Sequence, residues 1–238
     1  MGASLNASAA LVSFSGGQDS TTALAWALDR YESVETIGFR YGQKHFVELE
    51  CRPIVREAIA QLNPAWSARL GPDHVVELNL IGQIAKNVIS PENYVPIAGE
   101  GVEVGTRYIP GRNLIMLSMS ASVAFRRNIG AIVCGTSETE YSGYPDCRDA
   151  SMKAIEVAIN LSSGKQFKIE CPLMWLDKKG VWQLAADLGG TRLVDLIREN
   201  THTCYLGSRY VRHEWGYGCG SCAACELRAK GWRDFTTG

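Results

Sequence analysis

Two groups of residues in this 238-residue chain have types and spacing that can do chemistry: four cysteines near one end and a glycine turn near the other. Cys204, Cys219, Cys222 and Cys225 form C-x14-C-x2-C-x2-C. Thiolates at this spacing suit a tetrahedral all-cysteine zinc site with one ion per chain. Four thiolates leave no open coordination position, so such an ion is structural rather than catalytic. An iron–sulfur cluster uses similar spacing and stands as the alternative. His202 and His213 lie among these cysteines and read as surface imidazoles, not ligands. Cys51, Cys134 and Cys171 fall in apolar patterns and read as packing residues, whereas Cys147 sits in a polar loop.

The glycine turn stands in ALVSFSGGQDSTTALAWAL, residues 10–28, where an apolar run ends in Ser15-Gly16-Gly17-Gln18-Asp19-Ser20 and a helical pattern follows. Glycines let the backbone come close to a ligand, and the turn leaves N–H groups facing outward. The next helix adds its positive end, and Ser15 and Ser20 add hydroxyls, so the turn reads as a phosphate cradle. It is not the G-x-x-x-x-G-K-[ST] loop, because the lysine is missing and the spacing is shorter.

Positioning such a turn requires a strand before it and a helix after it. Residues 10–14 read as a buried strand and Thr21–Tyr31 as a helix. Strands are expected at 34–39, 74–80, 131–136 and 167–173. Helices are expected at Phe46–Leu62, bent or restarted near Pro53, at Leu114–Phe125, at Arg148–Ser162 and at Lys178–Leu188. The alternation predicts an α/β fold, a Rossmann-like parallel sheet with helices on both faces. Residues 90–110 read as a long loop. The tail from Thr201 shows little apolar periodicity and is expected to lack a core of its own. The division expected is an α/β domain over 8–200 that carries the phosphate cradle, and a small C-terminal zinc-binding subdomain over 201–232 packed on it.

Composition limits the functions. With 46% hydrophobic and 21% charged residues and a net charge of −1, the chain is globular and has no large basic surface for nucleic acid. Neither a signal-peptide pattern nor an apolar run long enough to span a bilayer is seen, and the cysteine usage suits the cytoplasm.

The turn resembles the pyrophosphate loop of the ATP pyrophosphatase (PP-loop, adenine nucleotide α-hydrolase-like) superfamily, S-G-G-x-D-S. That likeness implies cleavage of ATP between its α and β phosphates. Phe14, Ser15, Gly16, Gly17, Gln18, Asp19, Ser20, Thr21, Thr22, Ala23 and Leu24 would form the ATP site, with Asp19 helping to place Mg²⁺. Further stretches, FRYGQKHFVELE (39–50), PGRNLIMLSMSASVA (110–124), EYSGYPDCRDA (140–150), CPLMWLDK (171–178) and THTCY…CGSCAACELR (201–228), resemble the 7-cyano-7-deazaguanine synthase family over Leu11–Trp232.

The family resemblance implies a ligase that adenylates 7-carboxy-7-deazaguanine, forms an amide with ammonia, then adenylates the amide and releases a nitrile. It also implies a homodimer with neither nucleic acid nor membrane as partner. In that light Asp146 suits the donor edge of the deazaguanine, Arg148 its carboxylate or a phosphate, and Arg112 a phosphate or carboxylate, while Asn113 reads as a helix cap. Tyr41 is placed to stack on the ring, with Gln43, Lys44 and His45 at the site mouth. Lys44 and His45 join Asp19 and Ser20 as catalytic candidates, His45 as a general base by residue type.

Lys44 stands where the family often carries Arg, Glu140 and Tyr141 where Asp and Phe are common, and Cys171 where Thr is usual. The segment between Cys204 and Cys219 is longer than in many relatives. Two alternatives share the loop: a PP-loop enzyme that modifies tRNA, and a relative that passes the activated deazaguanine to another acceptor.

Overall fold

The computed structural model describes residues 4–41, 47–78, 109–139 and 144–237. The apolar run after Ser8 forms β1 (Asn6–Ser13), the middle strand of a wholly parallel sheet. Its order is β3-β2-β1-β4-β5, with β2 Ser33–Arg40, β3 Leu70–Glu77, β4 Ile129–Cys134 and β5 Lys168–Glu170. Alternate residues of the β1 segment enter different cores: Ala10, Val12 and Phe14 on one face, Ala9 and Leu11 on the other. A central parallel strand must be apolar on both faces because helices cover both.

The first face packs against α1 (Gln18–Arg30), α2 (Val47–Leu62), α3 (Pro64–Arg69) and α6 (Lys178–Asn200). The second packs against α4 (Arg112–Arg127) and α5 (Asp149–Ser163). The expected α/β sheet with helices on both faces is therefore present. The chain builds outward from β1 through β2 to β3, then returns to place β4 on the other side of β1. Open sheets of this kind bind ligands at that reversal, beyond the carboxyl ends of the strands.

Several boundaries differ from expectation. β3 begins four residues earlier than the expected 74, at Leu70, and includes Pro72. As the edge strand it tolerates a residue without an N–H. β5 shrinks to Lys168–Glu170, because Pro172 follows and the Met174 N–H turns back to the Cys171 carbonyl. α2 runs through Pro53 as one element. α6 extends to Asn200, since Gly190 (φ +62°, ψ −161°) kinks the chain and a helix resumes beyond it.

The tail adds a helix that the sequence reading did not expect. After the short antiparallel pair β6 (Arg212–His213) and β7 (Gly216–Tyr217), Ala223–Thr237 forms α7. Cys225, Arg228, Trp232 and Phe235 recur at helical spacing, and the charge of Arg228 conceals the stripe in the sequence. Trp232 meets Trp182 of α6 edge-on, with centroids 5.1 Å apart. Cys204, Trp215 and Cys225 share one core with Val12 and Trp182, so residues 201–232 pack continuously with the preceding body. Arg228 is fully buried and donates to the Ile197 and Trp215 carbonyls and to Thr203 Oγ1 at 2.9–3.0 Å. His202, expected at the surface, is buried, 1% exposed. His213 stacks on Trp215 at 4.5 Å.

Candidate active site

A cavity of about 280 Å³ opens at the carboxyl ends of β1, β2 and β4, where the strand order reverses. Ser13, Phe14, Ser15, Asp19 and Ser20 line one side. Tyr41, Glu48, Arg112, Asn113, Cys134, Gly135 and Thr136 line much of the rest.

The glycine turn is wound tightly around one oxygen. Ser20 Oγ accepts from the N–H groups of Ser15 (3.2 Å) and Gly16 (3.3 Å) and lies 3.1 Å from Ser15 Oγ. Convergent N–H donors at the first turn of α1 are the arrangement that holds a phosphate oxygen. Gly16 has φ +95°, and a Cβ there would lie 2.2 Å from the Glu48 carbonyl oxygen, so no other residue fits. Gly135, at the exit of β4, is required for a different reason. A Cβ on it would meet the Asp19 backbone at 2.9 Å, so glycine lets β4 abut the start of α1.

Of the expected ATP residues, Phe14, Ser15, Asp19 and Ser20 face the cavity, with Gly16 and Gly17 in the turn. Thr21 and Thr22 turn their hydroxyls back to the carbonyls of Gly17 (2.8 Å) and Gln18 (3.1 Å), while Ala23 and Leu24 sit in the core. Gln18 is buried.

Lys178 was not singled out as a site residue from the sequence. Its Nζ lies 2.7 Å from both carboxylate oxygens of Asp19, bridging 159 positions. The lysine absent from the turn itself is thus brought to Asp19 from the first position of α6, set there by the Asp177 N-cap, which accepts from the Gly180 N–H. Neither neighbouring sequence nor periodicity links Lys178 to Asp19. The helix-start signal Asp177-Lys178 was the available clue.

Glu48, at the start of α2, was also missed. The residue is half-buried, while its carboxylate lies among atoms that desolvate it. Burial first, then the charge of Asp19, push it up to about 7 against the opposing pull of Arg112. Among the described residues no donor hydrogen-bonds this carboxylate.

On the opposite wall, Gly111 in a left-handed conformation (φ +73°) precedes α4 and caps it without a side chain. Arg112 lies 6.0 Å from the Tyr41 ring centroid, and burial raises the Tyr41 phenol above its ordinary value. Asn113 is not the cap. Its N–H donates to Asp146 Oδ2 (3.0 Å), and its amide donates to the Asp146 carbonyl and to Cys147 Sγ. One Asp146 oxygen therefore holds the start of α4, in the short 3₁₀ turn Pro145–Cys147. Arg148 is exposed, and neither it nor Asp146 lines the cavity. Burial and then Asp146 raise the Cys147 thiol to about 11, which suppresses the nucleophilic form. Gln43, Lys44 and His45 lie outside the described residues.

The four expected metal cysteines converge. The Sγ atoms of Cys204, Cys219, Cys222 and Cys225 lie within 4.8 Å of one another, a set that can hold a metal ion. Cys219 Sγ accepts from the N–H groups of Ser221 (3.5 Å) and Cys222 (3.3 Å), and Cys204 Sγ accepts from the Cys219 N–H (3.4 Å). Such N–H···S bonds stabilise thiolates. The cluster reaches the nucleotide turn through two residues: the His202 N–H donates to the Gly16 carbonyl at 3.3 Å.

Comparison with known proteins agrees with this geometry. The family model for queuosine biosynthesis protein QueC matches residues 9–236. The 7-cyano-7-deazaguanine synthase of Rhodopseudomonas palustris (strain BisA53) is 54% identical over 232 residues, 98% of this chain and 95% of that one. The enzyme of the same name from Janthinobacterium sp. (strain Marseille) is 53% identical over 230 residues, 97% of each chain. Among solved structures, a 4-thiouridine synthetase–RNA complex with bound ATP shares the fold at a TM-score of 0.50 and 16% identity. The match covers 96% of this chain and 53% of that longer one. The chain belongs to the QueC family of queuosine biosynthesis proteins.

Proposed function

We infer that the protein converts 7-carboxy-7-deazaguanine and ammonia to 7-cyano-7-deazaguanine at the expense of ATP, as relatives more than half identical are named for doing. The observation that carries this reading is the turn at Ser15–Ser20, whose donors converge on one oxygen at the strand-order reversal. In the first half-reaction a substrate carboxylate oxygen attacks the α phosphorus of ATP, and the bond to the departing pyrophosphate breaks. Ser15, Gly16, Gly17 and Ser20 hold that pyrophosphate. Ammonia then attacks the activated carbon, forming C–N as the C–O bond to AMP breaks and a proton is lost. In the second half-reaction the amide oxygen attacks the α phosphorus of a second ATP, and pyrophosphate and one nitrogen proton leave. Loss of AMP and the remaining nitrogen proton leaves the nitrile.

Asp19 is assigned to a Mg²⁺ that accompanies ATP and neutralises phosphate charge. Arg112 and Tyr41 are assigned to the substrate end of the cavity, and substrate roles for Asp146, Arg148, Gln43, Lys44 and His45 rest on the family resemblance alone.

The four thiols are assigned to one structural zinc ion. A Zn–S bond of about 2.3 Å implies sulfurs roughly 3.8 Å apart in a tetrahedron. Cys219 and Cys225 are 3.9 Å apart. All eight cysteines are free, which suits the reducing cytoplasm. Among the described residues no helix is long and apolar enough to cross a membrane. A homodimer without nucleic acid rests on the family resemblance.

The test is incubation with ATP, Mg²⁺, ammonium and 7-carboxy-7-deazaguanine. Nitrile, AMP and pyrophosphate are the expected products. ADP instead of AMP would refute adenylation, and AMP release only on adding tRNA would move the assignment to tRNA modification.

A further inference from the structure

The reaction brings together two anions, ATP and a carboxylate, with a third substrate that is a cation at neutral pH. Ammonium needs acceptors, best of all a carboxylate with free lone pairs. Two carboxylates of described residues line the cavity, Asp19 and Glu48. They are not equivalent. Lys178 engages both Asp19 oxygens at 2.7 Å, and the lone pairs left there are the ones assigned to Mg²⁺. Glu48 carries no hydrogen-bond donor from a described residue.

The position of Glu48 is informative. Its Oε1 lies 3.7 Å from where a Cβ on Gly17 would stand, so the carboxylate overlooks the turn that gathers phosphate oxygens. An unneutralised carboxylate there opposes the binding of polyphosphate. Tyr41, which feels the Glu48 charge, and Arg112, which pulls against its raised carboxyl, line the same cavity. A small cation seated on Glu48 would remove the repulsion toward phosphate. It would share the cavity with the phosphate turn and with the Arg112–Tyr41 end assigned to the substrate.

We propose that Glu48 is the ammonium-binding residue of the site. It holds the nitrogen donor against the cavity wall, with the Tyr41 ring near the cation and the phosphate turn alongside. The assignment rests on the synthase reading above and adds to it a seat for the third substrate. The raised pKa of Glu48 agrees with a carboxylate left without a counter-cation, which bound ammonium supplies.

The experiment separates the half-reactions. Pyrophosphate exchange into ATP, driven by 7-carboxy-7-deazaguanine with Mg²⁺ and no ammonium, reads adenylation alone. Nitrile formation over an ammonium chloride series reads use of the nitrogen donor. Glu48→Gln should keep or raise exchange, because it removes the charge that opposes polyphosphate when ammonium is absent, and should raise the KM for ammonium about ten- to a hundredfold, the loss expected for one charged hydrogen bond. Glu48→Asp, which keeps the charge but draws it back, should show the same split with a smaller rise and serves if the Gln variant does not fold. An unchanged ammonium KM would overturn the assignment. So would loss of exchange that extra Mg²⁺ restores, because the carboxylate would then serve the nucleotide. Absence of exchange in the unaltered protein would instead refute the synthase reading itself.

Discussion

The N–H of His202 donates to the carbonyl of Gly16 at 3.3 Å, joining the segment that leads to Cys204 to the glycine turn wound around Ser20 Oγ. The His202 carbonyl lies 3.2 Å from where a Cβ on Gly17 would stand, so the same residue packs on both glycines. Cysteine cluster and nucleotide turn are consequently one mechanical unit.

Metal removal should therefore weaken nucleotide binding as well as stability. The purified protein is expected to hold one zinc per chain and to be colourless. A chelator should lower Tm and weaken ATP binding together. Unchanged ATP affinity after complete metal loss would separate the two sites, and visible absorption near 400 nm would replace zinc with an iron–sulfur cluster.

Gly16→Ala should destroy the turn. The left-handed conformation costs a side chain about 1–2 kcal/mol, and the Glu48 carbonyl would lie inside contact distance of the new methyl. ATP titration by calorimetry should show no measurable binding. Gly164→Ala, left-handed but with nothing within 4 Å, should lose only the conformational part and bind ATP normally.

Lys178→Met should leave the Asp19 carboxylate beside a cavity without its ammonium partner. The loss of stability is expected at about 3 kcal/mol, read by urea unfolding, with turnover abolished. Asp19→Asn should also abolish turnover while the fold persists, as circular dichroism would show. The double variant should regain most of the stability and none of the activity. A double variant no more stable than Lys178→Met would show that the two residues are not coupled.

The acid side of the stability profile should depend on Glu35. Burial alone would raise its carboxyl. The paired hydrogen bonds from Arg127 at 2.8–3.2 Å and the contact with His74 at 2.7 Å outweigh this and hold it below the ordinary value. A depressed carboxyl stabilises the fold above its unfolded pKa and loses that contribution as pH falls through its folded pKa. Tm should thus fall below about pH 4.5, and Glu35→Gln should flatten that limb while costing about 1–2 kcal/mol at neutral pH. An acid limb identical in the variant would remove Glu35 from the account.

What could be read in the sequence follows from range. The turn at Ser15–Ser20, the buried β1 and the Cys204–Cys225 set are local patterns, and the structure shows the turn between a strand and a helix, β1 buried, and the four thiols converged as a set that can hold a metal ion. Lys178 reaches Asp19 across 159 positions, and no local pattern encodes such a pairing. Glu48 stood in a charged helix start, where a carboxylate ordinarily faces water. The tail misled because Arg228, normally a surface residue, is fully buried and satisfied by backbone carbonyls. The kink at Gly190 hid the second half of α6, since a Gly-Gly pair normally ends a helix.

The contacts of the turn also set an order of assembly. Residues 15–20 leave the ribosome long before their partners Lys178 and His202 and the cysteines that anchor the tail. Domains fold from the N-terminus as they emerge. Here β1 and α1 can associate while the nucleotide turn still lacks its far wall. A nascent or truncated chain ending before Cys225 thus carries the glycine turn without Lys178, His202 and the full cysteine set in place around it, and is expected to show no ATP binding in calorimetry.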